Sequence, residues 1–208
     1  MIDFYTWNTP NGQKVAIMLE ELQVDYKIVP INIRSKEQFK DSFLKINPNN
    51  KIPAITDVDG PNHQPISIFE SGAILIYLAE KTGRLLPSDL RHRYTAIEWL
   101  MFQMSGIGPM GGQLNHFLNA ADEQIPYAIN RYREEVKRLY AVMDNHLKKA
   151  LYFAGEFSIA DIAIFPWVNI HQKQRIDIND YPNIERFIYA VAERPAVQKA
   201  MQLMQALN

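Results

Sequence analysis

Residues 66–83 read ISIFESGAILIYLAEKTG and combine the signals of a strand and a helix in one continuous stretch. The β-prone run 66–69 leads into Glu70-Ser71, after which apolar residues recur at the spacing of one helix face, namely Ile74, Leu75 and Leu78. Gly83 follows, and glycine commonly ends a helix because it adopts a left-handed conformation without steric cost. The stretch therefore predicts a strand followed by a helix from Ser71 to Lys81.

The residues before this stretch alternate strand-like and helix-like pieces in the same way. Strands are predicted at 2–6, 26–33 and 52–56, helices at 13–23 and about 35–46, and turns at 9–12 and 57–62. With residues 66–83 added, the order of elements is βαβ–α–ββ–α. This alternation predicts a small α/β unit over residues 1–83.

The character of the chain changes after Gly83. From residue 89 onward the periodicity is helical, with helices expected over 90–105, 126–149 and 158–172 and from Pro182 and Pro195. The glycine-rich segment 106–112 is expected to break or kink its helix. We therefore predict an α/β domain at 1–83, a linker at 84–88 and an all-helical domain at 89–208.

Charge and hydropathy exclude several classes of protein. The 22 Lys and Arg residues are balanced by 23 Asp and Glu residues, which argues against a broad nucleic-acid surface. No apolar run approaches the roughly 18 residues of a membrane span. The first residues show no basic segment leading into an apolar one, as a secretory leader would. We expect a cytoplasmic protein that binds neither nucleic acid nor membrane.

The chain contains no cysteine, and this restricts its chemistry. Disulfides, thiolate metal sites, iron–sulfur clusters and a protein thiol nucleophile are excluded. The five histidines are scattered without the spacing of metal ligands, so no metal site is expected. If the protein performs thiol chemistry, the sulfur must come from a bound small molecule.

Three segments together resemble the glutathione transferase family, and the resemblance covers essentially the whole chain. They are Asn50-Lys51-Ile52-Pro53-Ala54-Ile55, residues 69–78 and Ser158-Ile159-Ala160-Asp161. The resemblance implies a thioredoxin-like α/β N-terminal domain and an all-α C-terminal domain. Segments 9–14, 47–51, 108–110 and 125–132 are similar to the bacterial Nu-class disulfide-bond oxidoreductases. This implies a homodimer that binds two glutathione molecules, or glutathione disulfide, per active site and reduces a small-molecule disulfide.

The resemblance implies that Thr9 and Asn11 contact the glutathione sulfur. A free thiol has a pKa near 8.5, and its thiolate is the nucleophile, so donors that stabilise the thiolate raise reactivity. A Thr hydroxyl and an Asn amide can both donate hydrogen bonds. The alternative interpretation is that Thr9 only caps the following helix, with Pro10 at its first position. The two roles are compatible.

The other end of glutathione is assigned by the same resemblance. Ile52–Pro53 is implied to be a cis peptide whose preceding backbone pairs with the cysteinyl part. Glu70 has the charge to bind the γ-glutamyl ammonium, and Ser71 with the helix start suits its carboxylate. Lys51 is implied to bind a glutathione carboxylate. A capped helix and a solvated surface lysine are the alternatives.

Two further residues are implied to bind glutathione at more distant positions. Gln38 matches a residue that reaches the glycyl end, although an ordinary exposed glutamine has the same pattern. Arg131 matches an arginine that closes over the second glutathione, and its planar fork suits a carboxylate. Glu134 and Glu135 follow at i+3 and i+4 and could instead pair with Arg131 on the helix surface.

A second-substrate cleft is predicted from aromatic and glycine-rich positions. Trp7, Phe102, Met104 and Phe117 are the side chains assigned to it, together with segment 106–112. Core aromatics beside a helix kink explain the same residues equally well. A conventional transferase or peroxidase that acts on electrophiles is the alternative enzyme. A non-catalytic binding module is disfavoured because the Ile-Pro and Glu-Ser motifs are intact.

Overall fold

The structure is a computed structural model that describes residues 1–207. The chain divides into two compact units. The first unit contains residues 1–84 and the residues from Arg194 onward, and the second contains residues 85–193. None of the helices in the described residues is both long and apolar enough to cross a membrane.

The first unit is built on a four-stranded mixed sheet. Its strands are β1 (Ile2–Thr6), β2 (Tyr26–Pro30), β3 (Ala54–Asp57) and β4 (Ile66–Phe69), in the spatial order β2-β1-β3-β4. β1 runs parallel to β2 and antiparallel to β3, and β4 is antiparallel to β3. The helices between them are α1 (Pro10–Leu22), α2 (Asp41–Leu44) and α3 (Ser71–Thr82). The predicted α/β class and order of elements are confirmed.

Local sequence explains the boundaries of α1 and α3. Thr9 precedes α1 in an extended conformation, and its hydroxyl oxygen accepts a hydrogen bond from the Gly12 amide at 3.2 Å. Pro10, which needs no hydrogen bond to its nitrogen, occupies the first helical position. Gly83 ends α3 with φ at 67°, as its position after the apolar run predicts.

The last helix, α9 (Pro195–Gln205), packs on α1 and belongs to the first unit. This differs from the predicted division, which placed 89–208 together in a helical domain. The physical reason is a buried apolar face on α9, formed by Val197, Ala200 and Met204. Arg194, just before the helix, also pairs with Glu21 of α1 through two hydrogen bonds of 2.6 and 2.8 Å.

The second unit is helical, apart from one isolated bridge between Ala154 and Glu156. Its helices are α4 (Leu90–Phe102), α5 (Gly108–Asn119), α6 (Pro126–Leu147), α7 (Ile159–Val168) and α8 (Pro182–Ala192). Every residue of α7 is buried, and this helix packs against α4 and α8. The predicted helical character of this part of the chain is confirmed.

Several predicted boundaries are wrong. The helix expected over 35–46 is replaced by two 3-10 turns, Ile33–Ser35 and Glu37–Phe39, and by the four-residue α2. The helix expected to reach 172 ends at Val168. The strand expected over 26–33 ends at Pro30, and the strand expected over 52–56 is shifted to Ala54–Asp57, just after Pro53.

Segment 106–112 does not form a loop. A π-helical turn over Gln103–Ile107 joins α4 to α5, and the remaining glycines lie inside α5. A Cβ atom on Gly111 would lie 2.8 Å from the Gln174 side chain and 3.2 Å from the Trp167 ring. These glycines are therefore explained by close packing of α5 inside the second unit.

Candidate functional site

Strand register brings three segments to one end of the sheet in the first unit. Ala54 of β3 is paired with Tyr5 of β1 on one side and with Phe69 of β4 on the other. The chain leaves β1, enters β3 and leaves β4 at this same end. The loop before α1, the Ile-Pro segment and the Glu-Ser turn are consequently close neighbours around it.

Thr9 and Asn11 lie at the start of α1, both half-buried. In the bond that caps the helix, the Thr9 oxygen is the acceptor, so this bond does not use the hydroxyl hydrogen. Thr9 can therefore cap α1 and donate to a ligand at the same time. The positive end of the α1 dipole lies beside both side chains and favours a bound anion such as a thiolate.

Two contacts that were not predicted hold the loop before α1 in place. Gln13 is buried, and its amide donates a 3.0 Å hydrogen bond to the Asn8 side chain. A Cβ atom on Gly12 would overlap the Thr6 hydroxyl and lie 2.6 Å from the Trp7 carbonyl oxygen. The loop thus rests directly on a glycine, and any larger residue there would displace it. The adjacent residues Gly12 and Gln13 form no sequence pattern from which their contacts with Thr6, Trp7 and Asn8 could be predicted.

The Ile52–Pro53 peptide bond is cis, as the family resemblance implies. The approach to it is held by Asn47, which is buried and donates a 2.6 Å hydrogen bond to the Lys51 carbonyl oxygen. The Asn47 side chain also accepts from the Asn49 amide at 2.9 Å. Ile52 is half-buried, and the Lys51 side chain is exposed. Asn47 therefore shapes the loop that leads to the cis peptide.

Glu70 stands between β4 and α3 with φ at 69° and ψ at 115°. A positive φ is unusual for a residue other than glycine and costs energy that the surrounding structure must offset. Such strained residues are often found at binding sites. The Glu70 side chain is exposed and makes no capping hydrogen bond to α3, so its carboxylate can meet a cationic ligand.

Ser71, the first residue of α3, is buried and contacts an unexpected partner. The ammonium of Lys14, one turn into α1, donates a 3.2 Å hydrogen bond to the Ser71 hydroxyl oxygen. Lys14 is only 1% exposed. Burial lowers the pKa of Lys14 to about 7, and the Glu70 carboxylate partly opposes this effect. The buried lysine was missed because a lysine inside an amphipathic helix usually predicts a solvated side chain.

Gln38 lies in the 3-10 turn after β2 and is half-buried. Its amide oxygen is buried and has no hydrogen-bond partner within residues 1–207. The turn itself is fixed because the Asn32 amide donates to the Glu37 carboxylate at 2.8 Å. Gln38 therefore has an unsatisfied polar atom that a ligand could contact, although the predicted helix around it is absent.

Arg131 belongs to the second unit, on the exposed side of α6. The glutamates that could have paired with it are bound to other cations. Glu135 pairs with Arg138 at 2.7 Å and Glu134 with Lys137 at 3.5 Å. Within the described residues Arg131 makes no ion pair. A cavity of about 610 Å³ adjoins it, lined by Met110, Arg131, Tyr132, Glu134, Glu135 and Arg138.

The four side chains assigned to a second-substrate cleft have different surroundings. The Phe117 ring stacks on the ring of Tyr132, with centroids 5.7 Å apart. Tyr132 follows Arg131 directly in sequence. Phe102 packs edge-to-face on Trp99 at 5.1 Å, within the aromatic core of the second unit. Met104 is half-buried in the π-helical turn, and Trp7 is half-buried in the first unit.

Within residues 1–207 no group of three or more His, Asp or Glu side chains could hold a metal ion. The exposed histidines make local contacts instead, such as His63 with Asp59 at 2.9 Å.

Comparison with protein families identifies both parts of the chain. Residues 2–80 match the model described as the N-terminal domain of glutathione S-transferase, and residues 120–195 match the model of its C-terminal domain. The chain is 47% identical over 205 residues to disulfide-bond oxidoreductase YfcG of Escherichia coli, covering 97% of this chain and 94% of that protein. It is 42% identical to disulfide-bond oxidoreductase YghU of the same organism, covering 95% of this chain and 73% of that one.

Solved structures with the same fold contain glutathione. A glutathione transferase from Pseudomonas putida, with one glutathione disulfide bound per subunit, has a TM-score of 0.94 and 44% identity. That match covers 97% of this chain and 91% of the other. A glutathione transferase from Burkholderia graminis, with two glutathione molecules bound per subunit, has a TM-score of 0.92 and 44% identity over 97% and 87% of the two chains.

Proposed function

Because this chain belongs to the glutathione transferase family, we propose that it reduces disulfide bonds with two bound glutathione molecules and no protein thiol. The observation that carries the proposal is the start of α1, where Thr9, Asn11 and the helix terminus offer donors to a thiolate in a chain without cysteine. The names of the relatives, which are disulfide-bond oxidoreductases, support the reaction. The glutathione-bound neighbours support the cofactor.

The first requirement of this chemistry is an ionised glutathione. A thiol with a pKa near 8.5 is only a few per cent thiolate at neutral pH. Lowering that pKa by two units requires about 2.7 kcal/mol of preferential stabilisation of the thiolate. A charge-assisted hydrogen bond from Thr9, a second from Asn11 and the dipole of α1 together supply a stabilisation of this size.

The reaction then proceeds by two thiol–disulfide exchanges. The first glutathione thiolate attacks one sulfur of the substrate disulfide, forming a mixed disulfide and releasing the other half as a thiolate. The second glutathione, also as thiolate, attacks the glutathione sulfur of the mixed disulfide and releases the remaining substrate thiolate. Two glutathione molecules are oxidised to glutathione disulfide, and the substrate disulfide gains two electrons and two protons.

The remaining contacts position the peptide. Glu70 binds the γ-glutamyl ammonium, while Ser71 and the start of α3 bind its carboxylate. The backbone of Ile52 before the cis-proline pairs with the cysteinyl residue. Lys51 and Gln38 bind the glycyl end, where the exposed ammonium of Lys51 meets a carboxylate.

The second glutathione is assigned to Arg131 of the second unit. Its side chain is exposed and lines the cavity of about 610 Å³, and a guanidinium can bind a carboxylate through two parallel hydrogen bonds, which supports this role. Phe117, with Trp7, Phe102 and Met104, is proposed to contact the disulfide substrate.

The test compares glutathione-dependent reduction of a small symmetrical disulfide by wild type and by Thr9→Ala with Asn11→Ala. We expect the double variant to lose about a hundredfold or more in rate, as loss of preorganised donors to a developing charge typically does. Thr9→Ser retains the hydroxyl and should remain active. Thr95→Ala, at a half-buried threonine of α4, is the matched control. Unchanged reduction by the double variant would refute the proposed role of these donors.

The same preparation separates reduction from conventional conjugation. An electrophile that glutathione conjugates is offered in place of the disulfide, under identical conditions. We expect the disulfide to be the better substrate. A protein that conjugates the electrophile and leaves the disulfide unchanged would be a conventional transferase instead.

The class and assembly form part of the proposal. The similarity of segments 9–14, 47–51, 108–110 and 125–132 to Nu-class enzymes supports that class and a homodimer. We also propose a cytoplasmic location. Light scattering at micromolar concentration should give twice the mass of the chain, and a monomer would contradict the proposed assembly.

A further inference from the structure

Asn8 and Gln13 make a polar contact at a position where helices often carry an apolar one. Thr9 caps α1, so Asn8 is the residue before the cap and Gln13 is the fourth residue of the helix. In many helices two apolar side chains at these positions pack together and fix the angle at which the chain enters the helix. Here the Gln13 amide nitrogen donates a 3.0 Å hydrogen bond to the Asn8 side-chain oxygen instead. An amide pair therefore fixes the entry of the chain into α1.

The amide pair is less favourable for folding than an apolar pair would be. Gln13 is only 9% exposed, and its side-chain oxygen is buried without a hydrogen-bond partner within residues 1–207. A buried acceptor without a partner destabilises the fold, and native proteins contain few of them. Two apolar side chains would fix the same angle without this cost. We therefore expect the amide groups to have a use that apolar groups could not meet.

The hydrogen bond determines which end of the Asn8 amide faces Gln13. The Asn8 oxygen accepts from Gln13, and an amide carries its oxygen and its nitrogen on different sides of one carbon atom. The two hydrogens of the Asn8 amide nitrogen consequently point away from Gln13. Asn8 is half-buried, so part of its side chain is accessible to a ligand. The pair thus presents hydrogen-bond donors, and not an acceptor, beside the start of α1.

We propose that Asn8 donates a further hydrogen bond to the glutathione thiolate, and that Gln13 is the positioning residue that orients the Asn8 amide for it. The inference rests on the proposed function, in which the thiolate binds at the start of α1 beside Thr9 and Asn11. Without the bond from Gln13, the Asn8 amide can rotate and present its oxygen, which repels an anion. A donor that is already oriented stabilises the thiolate without the cost of reorganisation.

The experiment measures the pKa of the thiol of bound glutathione, from the ultraviolet absorbance of the thiolate as the pH is raised. Wild type is compared with the double variant Asn8→Leu with Gln13→Leu, which replaces the amide pair by an apolar pair. Packing of the two leucines should keep the entry angle of α1, so the melting temperature should not fall. We expect the pKa of the bound thiol to rise by about 1 in this variant, because a hydrogen bond to a charged group is lost. A purely structural role would leave that pKa unchanged.

Two single substitutions complete the experiment. Gln13→Met keeps the length of the side chain and loses the donor, so it should raise the pKa of the bound thiol by less than the double variant does. It also keeps the test valid if the double variant fails to fold. Asn119→Leu is the matched control, because it removes an amide–amide hydrogen bond of 2.9 Å to Asn115 in the second unit. The control should leave the pKa of the bound thiol unchanged.

The outcomes separate this inference from the proposed function. A wild-type pKa of the bound thiol in the double variant or in Gln13→Met would overturn the inference and leave the proposed function standing. An equal rise in the control would overturn it as well, since the effect would not be specific to this pair. If wild type binds no glutathione, or binds it with the thiol pKa of about 8.5 of the free molecule, the proposed function fails and the inference fails with it.

Discussion

Replacement of Asp161 by alanine should destabilise the second unit more than most single substitutions do. Asp161 is fully buried at the start of α7, where its carboxylate accepts three hydrogen bonds. They come from the Phe153 amide at 3.0 Å, the Ser158 amide at 2.9 Å and the Ser158 hydroxyl at 3.0 Å. Alanine would leave both amides buried without this partner.

The magnitude follows from these contacts. Each buried amide left unsatisfied costs about 1–3 kcal/mol, and loss of a helix cap costs about 1 kcal/mol. We therefore expect Asp161→Ala to lower the free energy of unfolding by about 3–7 kcal/mol. Ser158→Ala leaves the carboxylate in place and removes only the hydroxyl, so it should cost about 1–2 kcal/mol.

The assay is equilibrium unfolding in urea. Burial raises the pKa of the Asp161 carboxyl to about 7, so this group contributes less stability as the pH rises from about 4 toward 7; the variants are therefore compared near pH 5, where the folded wild-type side chain is mostly neutral. The slope of the free energy of unfolding against urea concentration should be the same for all variants. An unchanged slope means that the substitution alters stability and not the surface exposed on unfolding. An Asp161→Ala protein within about 1 kcal/mol of wild type would refute the argument from unsatisfied amides.

Two further substitutions test the proposed site. Gly12→Ala places a Cβ atom against Thr6 and should displace the loop that carries Thr9. We therefore expect weaker glutathione binding by calorimetry and a lower melting temperature. Normal glutathione binding would show that the position of the loop is unimportant. Arg131→Lys loses the planar guanidinium that can bind a carboxylate in two parallel hydrogen bonds, so the KM for glutathione should rise severalfold. Arg133→Lys, two positions along α6, is the matched control and should leave the KM for glutathione unchanged.

The parts of the fold that depend on local signals could be predicted. Residues 66–83 contain a strand, a polar helix start and a terminal glycine in immediate succession, and the structure matches this reading closely. The helix expected to start at 158 does begin there, with Ser158 as its cap and Asp161 completing the capping box. These elements are fixed by residues three or four positions apart, so one sequence contains all the information they need.

The features that were missed depend on residues distant in sequence. The assignment of α9 to the first unit requires its apolar face to meet α1, nearly the full length of the chain away. A Cβ atom on Gly111 would crowd Gln174 and Trp167, and the neighbours of Gly111 in sequence give no indication of these contacts. The glycine-rich segment was expected to break or kink its helix, and the structure has a π-helical turn there, followed by closely packed glycines inside α5.

In the candidate site, too, local features could be predicted and contacts between distant residues could not. The cap at Thr9 and the turn at Glu70-Ser71 follow from local patterns, whereas their assignment to glutathione came from the family resemblance. Lys14 was missed because its partner Ser71 lies across the first unit, and nothing beside it in the sequence indicates burial.

The central claim is that this protein reduces disulfides with the sulfur of glutathione alone. The most direct test is the initial rate of glutathione-dependent reduction of a small symmetrical disulfide as the concentration of purified protein is varied. We predict a rate that is proportional to protein concentration and absent without glutathione, in a chain that has no cysteine of its own to account for it. A rate that never exceeds the uncatalysed exchange would contradict the claim.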